Sequence, residues 1–187
     1  QLRLLRERLP EVRGLRFETH DVPALDVGGE FFDVIQLDEA CISLVAGDIS
    51  GKGVSAALMM AKLATEFRVL SRTHRRPAEV MTRANETMLE AGQDNLFATV
   101  VYILLDMEAG TFTVTNAGHQ PPMVVSPRFE GIAELDDATA TALGVIPGLE
   151  YPEQVYKLVP DDVVMLYTDG INEAMNRHGQ EYGMESL

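Results

Sequence analysis

The stretch Cys41-Ile42-Ser43-Leu44-Val45-Ala46-Gly47-Asp48-Ile49-Ser50-Gly51-Lys52-Gly53 decides how the chain folds. Cys41–Ala46 is a short run of apolar and small residues bounded by turn signals, the pattern of a strand buried on both faces. A glycine-rich loop from Gly47 to Gly53 then hands the chain to Val54–Ser71. That segment mixes small and long apolar residues without proline and predicts a helix. The order strand, loop, helix puts Asp48 at the end of a buried strand.

Upstream of it, Glu30–Leu37 pairs with Ala40–Ala46 as a hairpin through the turn-forming Asp38-Glu39. Leu15–His20 alternates like a strand, and Leu2, Leu5 and Leu9 recur at helical spacing before Pro10. Residues 1–10 therefore read as a linker helix and residues 11–187 as one domain. That helix is either a coupling element to an upstream module or part of the domain's own packing. Downstream, Pro77 stands at the first turn of a second helix, Pro77–Ala91, closed by Gly92. Leu96–Leu105, Thr111–Asn116 and Met123–Val125 predict strands, as do Val155–Leu158 and Val163–Tyr167 before a short helical stretch. Phe129–Glu150, with Gly144, Pro147 and Gly148, reads as an irregular excursion. Strands surrounding two adjacent long helices give an α+β layered domain.

A length of 187 residues suits one domain with a real core. The formal net charge is −14, from 15 basic and 29 acidic residues, which disfavours nucleic acid as a partner. The acidic surplus serves either solubility or a functional concentration of carboxylates. No apolar run is long enough for a membrane helix, and no signal peptide pattern is present. Cys41 is the single cysteine, which excludes an internal disulfide and a thiolate metal cluster. It reads as a small core residue, and a reducing cytoplasm fits.

Three acidic residues share one context beside glycine at a strand end: Glu30 after Gly28-Gly29, Asp48 after Gly47, and Asp169 before Gly170. Carboxylates so placed can converge at one sheet edge, where hard cations such as Mg²⁺ or Mn²⁺ take oxygen ligands. Each Asp-Gly or Gly-Glu pair taken alone is also an ordinary turn. The glycine loop lacks the P-loop spacing. His119, in Asn116-Ala117-Gly118-His119-Gln120-Pro121-Pro122, is either catalytic or a residue that fixes the turn. No nucleophile elbow or activated cysteine exists, so a metal-activated water is the better fit.

Six strings occur in order: DVGGEFFD (Asp26–Asp33), AGDISGKGVSAALMMA (Ala46–Ala61), FATVVYILLD (Phe97–Asp106), NAGHQPP (Asn116–Pro122), LG (Leu143–Gly144) and YTDGINEAMN (Tyr167–Asn176). Together they resemble the SpoIIE-like branch of the PPM (type 2C) phosphatases, over a span from about Leu9 to the end. The resemblance implies a four-layer β-sandwich of two antiparallel sheets flanked by helices, with two Mn²⁺ or Mg²⁺ ions at one end. Asp48 would bridge both ions, the Ile49 carbonyl would join the second, and Asp169 would bind the first. Glu30 stands where the family usually has Asp and keeps the carboxylate on a longer arm. A further helix and a strand with Asp-Asp-x-Thr lie beyond Leu187 in the family, so the domain reads as truncated, with weakened metal binding and a tendency to dimerise. Asp136-Asp137-Ala138-Thr139 matches those letters but precedes Asp169, and reads as a decoy.

The resemblance further implies direct hydrolysis of phosphoserine or phosphothreonine by a metal-activated water. The substrate class it suggests is a STAS-type anti-sigma-factor antagonist, under control of an upstream sensor or receiver domain. Two rivals are a pseudophosphatase that only binds its partner and, on the glycine loop alone, a nucleotide-binding signalling module.

Overall fold

The computed structural model describes residues 9–20, 29–51, 53–91 and 96–183. The hairpin forms as expected: β1 (Phe31–Gln36) pairs antiparallel with β2 (Cys41–Ile49). Asp38 closes its turn, the carboxylate Oδ1 accepting from the Ala40 and Cys41 amides at 2.9 and 2.8 Å. β2 then runs further than its apolar residues alone suggest. Its ladder with β3 (Ala98–Asp106) continues through Asp48, opposite Thr99, and Ile49, opposite Ala98. Asp48 is thus a strand residue rather than the first of a loop.

β3 pairs with β4 (Thr111–Ala117), which carries both β7 (Thr139–Ala140) and β8 (Gln154–Lys157). A second, three-stranded sheet has the order β6 (Ile132–Glu134), β5 (Met123–Val125), β9 (Val163–Met165). The irregular excursion expected at 129–150 therefore contains two short strands, whose few residues are too short to show alternation. The pairing of β7 with β4 is parallel, so the larger sheet is not wholly antiparallel. Leu15–His20 forms no strand. Leu15 and Phe17 instead lay apolar side chains on the core without backbone pairing. Of the expected linker helix, Gln1–Arg8 lies outside the described residues, and Leu9 and Pro10 are not helical. Cys41 is only half-buried.

α1 (Val54–Thr73) and α2 (Pro77–Glu90) cover one face of the larger sheet. Ala56, Met59, Met60, Leu63, Phe67 and Leu70 recur every three or four residues and are all buried. They meet Phe31, Val45, Val100 and Tyr102, the residues that period-2 alternation turns toward the helices. Phe67 is the centre of that contact, its ring centroid 6.2 Å from Phe31 and 5.9 Å from Tyr102. The opposite face turns Ile42, Ala46, Val101, Ile103 and Val114 toward Val124 and Val164 of the small sheet. Helices, large sheet and small sheet make three layers. No helical layer covers the outer face of the small sheet among the described residues, and Val125, Ile132 and Val163, register partners there, are exposed.

Polar pins hold the helices to the sheet. The Arg68 guanidinium on α1 grips the Asp33 carboxylate of β1 with Nε at 2.5 Å and Nη2 at 3.2 Å. Glu153 accepts from the Ala78 amide at 2.9 Å and so caps α2 behind Pro77. Asn85, fully buried on α2, donates to the Ile146 carbonyl at 2.9 Å and accepts from the Gly144 amide at 2.8 Å.

Asn85→Ala leaves that carbonyl and amide without their partner, so stability should fall by about 2 kcal/mol. Urea denaturation with an unchanged m-value checks it, and a loss under about 0.5 kcal/mol would show that water replaces the amide.

Candidate metal centre

Three backbone features bring the acidic residues together. The Asp48 carboxylate is fixed at the end of β2 by the ladder with β3. Glu30 directly precedes β1, which pairs with β2 so that Phe31 lies opposite Gly47. Asp169 opens α3 (Asp169–Asn172), which follows β9, the partner of β5 in the small sheet. The join between the first two is tight: the Ile49 amide donates to the Gly29 carbonyl at 3.3 Å. A Cβ on Gly29 would sit 2.6 Å from the Ile49 carbonyl oxygen and 2.8 Å from Asp48 Oδ1. Only glycine fits there, and the same measurement shows that the Ile49 carbonyl and the Asp48 carboxylate face one small space. Glu30 reaches the third partner, with Oε1 3.2 Å from where a Cβ on Gly170 would stand.

The electrostatics reflect this convergence. Burial pushes the Asp48 carboxyl up to about 6, with Glu30 and then Asp169 adding like-charge repulsion. Oxygen donors that repel one another suit a hard divalent cation, which removes the repulsion, so the donor set fits Mg²⁺ or Mn²⁺. Among the described residues no three Asp, Glu, His or Cys side chains are grouped closely enough to enclose an ion as they stand. The candidate centre is a set of acidic donors and one carbonyl facing a common space.

His119 joins this neighbourhood. It is 7% exposed, and Nδ1 lies 3.0 Å from Thr99 Oγ1, the residue opposite Asp48 in the ladder. Burial drives the imidazole down to about 4, against smaller opposing effects of the Tyr167 backbone and the Asp169 carboxylate. The ring is neutral at physiological pH. Of the decoy motif, Asp137 accepts a hydrogen bond from the Tyr156 hydroxyl at 3.0 Å. No helix among the described residues is long and apolar enough to cross a membrane.

The family model for Stage II sporulation protein E (SpoIIE) matches residues 38–187. The chain belongs to the SpoIIE family. Among its relatives, the phosphoserine phosphatase RsbU of Bacillus subtilis (strain 168) is 26% identical over 179 residues, covering 96% of this chain and 53% of the relative. The chain thus spans about half the length of that relative. The RsbU and RsbW domains of Rv1364c from Mycobacterium tuberculosis superpose with a TM-score of 0.72 at 28% identity, over 83% of this chain and 43% of that one. The PP2C phosphatase domain of SpoIIE from Bacillus subtilis, solved with a fragment of its regulatory domain, gives 0.66 at 14% identity, over 79% and 43%. At that identity the likeness speaks for the fold, which is of the PP2C type.

Within this SpoIIE fold, Asp48 and His119 shift in opposite directions, and their effects on stability oppose. Between about pH 4 and 6 the native Asp48 keeps a proton that the unfolded chain has lost, so its contribution falls as pH rises. Native His119 lacks a proton that the unfolded chain binds between about pH 4 and 6.5, so its contribution rises with pH. In the presence of a chelator these two contributions should largely cancel in the wild type. Asp48→Asn removes the first effect, and stability should then rise by about 2–3 kcal/mol from pH 4 to pH 6.5. Urea midpoints across that range check it; a flat Asp48→Asn profile would mean that His119 is not held neutral.

Proposed function

We propose that this chain is a metal-dependent phosphatase domain, residues 11–187, acting on phosphoserine or phosphothreonine of a regulatory protein. The observation that carries the reading is the convergence of Glu30 and Asp169 on the half-buried Asp48, beside the Ile49 carbonyl. Membership of the SpoIIE family and likeness to a phosphoserine phosphatase support it. Asp48, Glu30, Asp169 and the Ile49 carbonyl are the groups that would hold Mn²⁺ or Mg²⁺, two ions by the family's pattern. A bound cation lowers the pKa of a coordinated water and offsets charge on phosphoryl oxygens.

The chain's own part is placement. Strand β2 holds Asp48 by backbone ladder, so its carboxylate does not need to be ordered when substrate arrives. Gly29 leaves the space between Asp48 and the Ile49 carbonyl open. Glu30 retains a carboxylate against the Gly170 backbone, and this weighs against a domain that only binds. The substrate class that fits is a STAS-type anti-sigma-factor antagonist carrying phosphoserine, in the cytoplasm, with an upstream sensor setting activity.

Asp48→Asn should fold as wild type does, lose most affinity for Mn²⁺, and release phosphate from a phosphoserine-bearing antagonist no faster than wild type with chelator. Phosphate release at saturating Mn²⁺ is the measurement. Turnover by Asp48→Asn at the wild-type rate would remove Asp48 from the site.

A further inference from the structure

His119 has a ring that its own turn does not need. The turn is closed by main chain and by Asn116: Oδ1 accepts from the His119 amide at 2.8 Å, and Nδ2 donates to the His119 carbonyl at 3.0 Å. Asn116 is itself 1% exposed, so these bonds are shielded. The imidazole takes no part in them. It is nonetheless buried, with Nδ1 on the Thr99 hydroxyl and Nε2 enclosed without a hydrogen-bond partner. A buried polar atom left over in this way needs a reason, because an apolar side chain would fill the space without the desolvation cost.

The ring's surroundings supply the reason. On one side is Thr99, which faces Asp48 across the β2–β3 ladder. On the other is the Tyr167 backbone, two residues before Asp169, with the Asp169 carboxylate in electrostatic reach. A neutral imidazole has one donor and one acceptor nitrogen. With Nδ1 accepting from the Thr99 hydroxyl, the proton sits on Nε2, and the neighbouring backbone it can serve is that of Tyr167, two residues before Asp169.

We propose that His119 is a positioning residue: through Thr99 it ties the Asp169 corner to the strand that carries Asp48, so that the two carboxylates keep one spacing when a divalent cation is held. The activity arm of its test rests on the phosphatase reading, while the metal arm stands alone. In the charge-free role of a spacer, Gln at this position can still donate from its amide, whereas Ala cannot.

The experiment titrates wild type, His119→Ala, His119→Gln and Thr99→Val with Mn²⁺ alone by calorimetry, and follows hydrolysis of an aryl phosphate at saturating Mn²⁺. His119→Ala should bind Mn²⁺ about tenfold or more weakly, the size expected for a residue that orients a metal ligand. His119→Gln should recover most of that loss, and Thr99→Val should fall between. Circular dichroism identifies a variant that does not fold; if His119→Ala is one, Thr99→Val decides, since it keeps the ring and removes only its orienting hydroxyl. Wild-type Mn²⁺ affinity in the folded variants would overturn the proposal and leave His119 a packing residue. Wild type that binds Mn²⁺ but hydrolyses nothing would sink the phosphatase reading and leave the metal arm to judge His119. Wild type that binds no Mn²⁺ overturns both.

Discussion

The mutual repulsion of carboxylates around Asp48 is the constraint that the rest of the structure serves. A half-buried carboxylate with two like charges nearby is held at a cost in free energy, seen in the rise of its proton affinity. Such a group relaxes outward unless its backbone cannot follow. Here the backbone is locked on both sides, by β1 through the pairing of Phe31 with Gly47 and by β3 through that of Asp48 with Thr99. Close approach of the chains then depends on glycine. A Cβ on Gly47 would stand 2.7 Å from the Thr99 carbonyl oxygen and 2.8 Å from the Phe31 ring.

Rigidity at that point comes from the layers on either side. Alternation along β2 and β3 sends one set of side chains to the helices and the other to the small sheet, so both faces of the central strands are packed. The polar pins act where apolar packing is non-directional. Arg68 and Asp33, with side chains 24% and 10% exposed, fix α1 against the strand that follows Glu30. A pair this far from water adds little net stability against an apolar substitute, but its forked geometry admits one arrangement. Since α1 begins just after the loop that leaves Asp48, its orientation and that of β1 together frame the site.

The central frame was legible because its signals are local and strong. Cys41–Ala46 and Val54–Ser71 are long, patterned runs, and Asp38-Glu39 and Pro77 carry recognised turn and cap chemistry. Where legibility failed, non-local pairing decided. Leu15 and Phe17 alternate like a strand, but they pair with no strand among the described residues and pack through their side chains. Ile132–Glu134 and Thr139–Ala140 are strands only because β5 and β4 lie beside them. The three acidic positions stand out by their glycines, yet their order in space comes from topology: β9 pairs with β5 in the small sheet, and the helix that follows sets Gly170 against Glu30. The sequence leaves two roles open for His119 because the Asn116 bonds that close its turn are visible only in three dimensions.

Glu30 is the proposed metal-binding residue that departs from the aspartate the family resemblance implies, and its surroundings have room for the longer arm. Its Oε1 lies against Gly170, at 3.2 Å from where a side chain would begin. That distance is tighter than ordinary contact, so any larger residue at position 170 would have to displace the carboxylate or the corner behind it. Gly170 in turn immediately follows Asp169, and a shift of one moves the other. The longer arm of Glu30 carries its charge across to Gly170, at the start of α3. Position 30 and position 170 act as one unit here, and the convergence on Asp48 survives the substitution because the glycine leaves room for it.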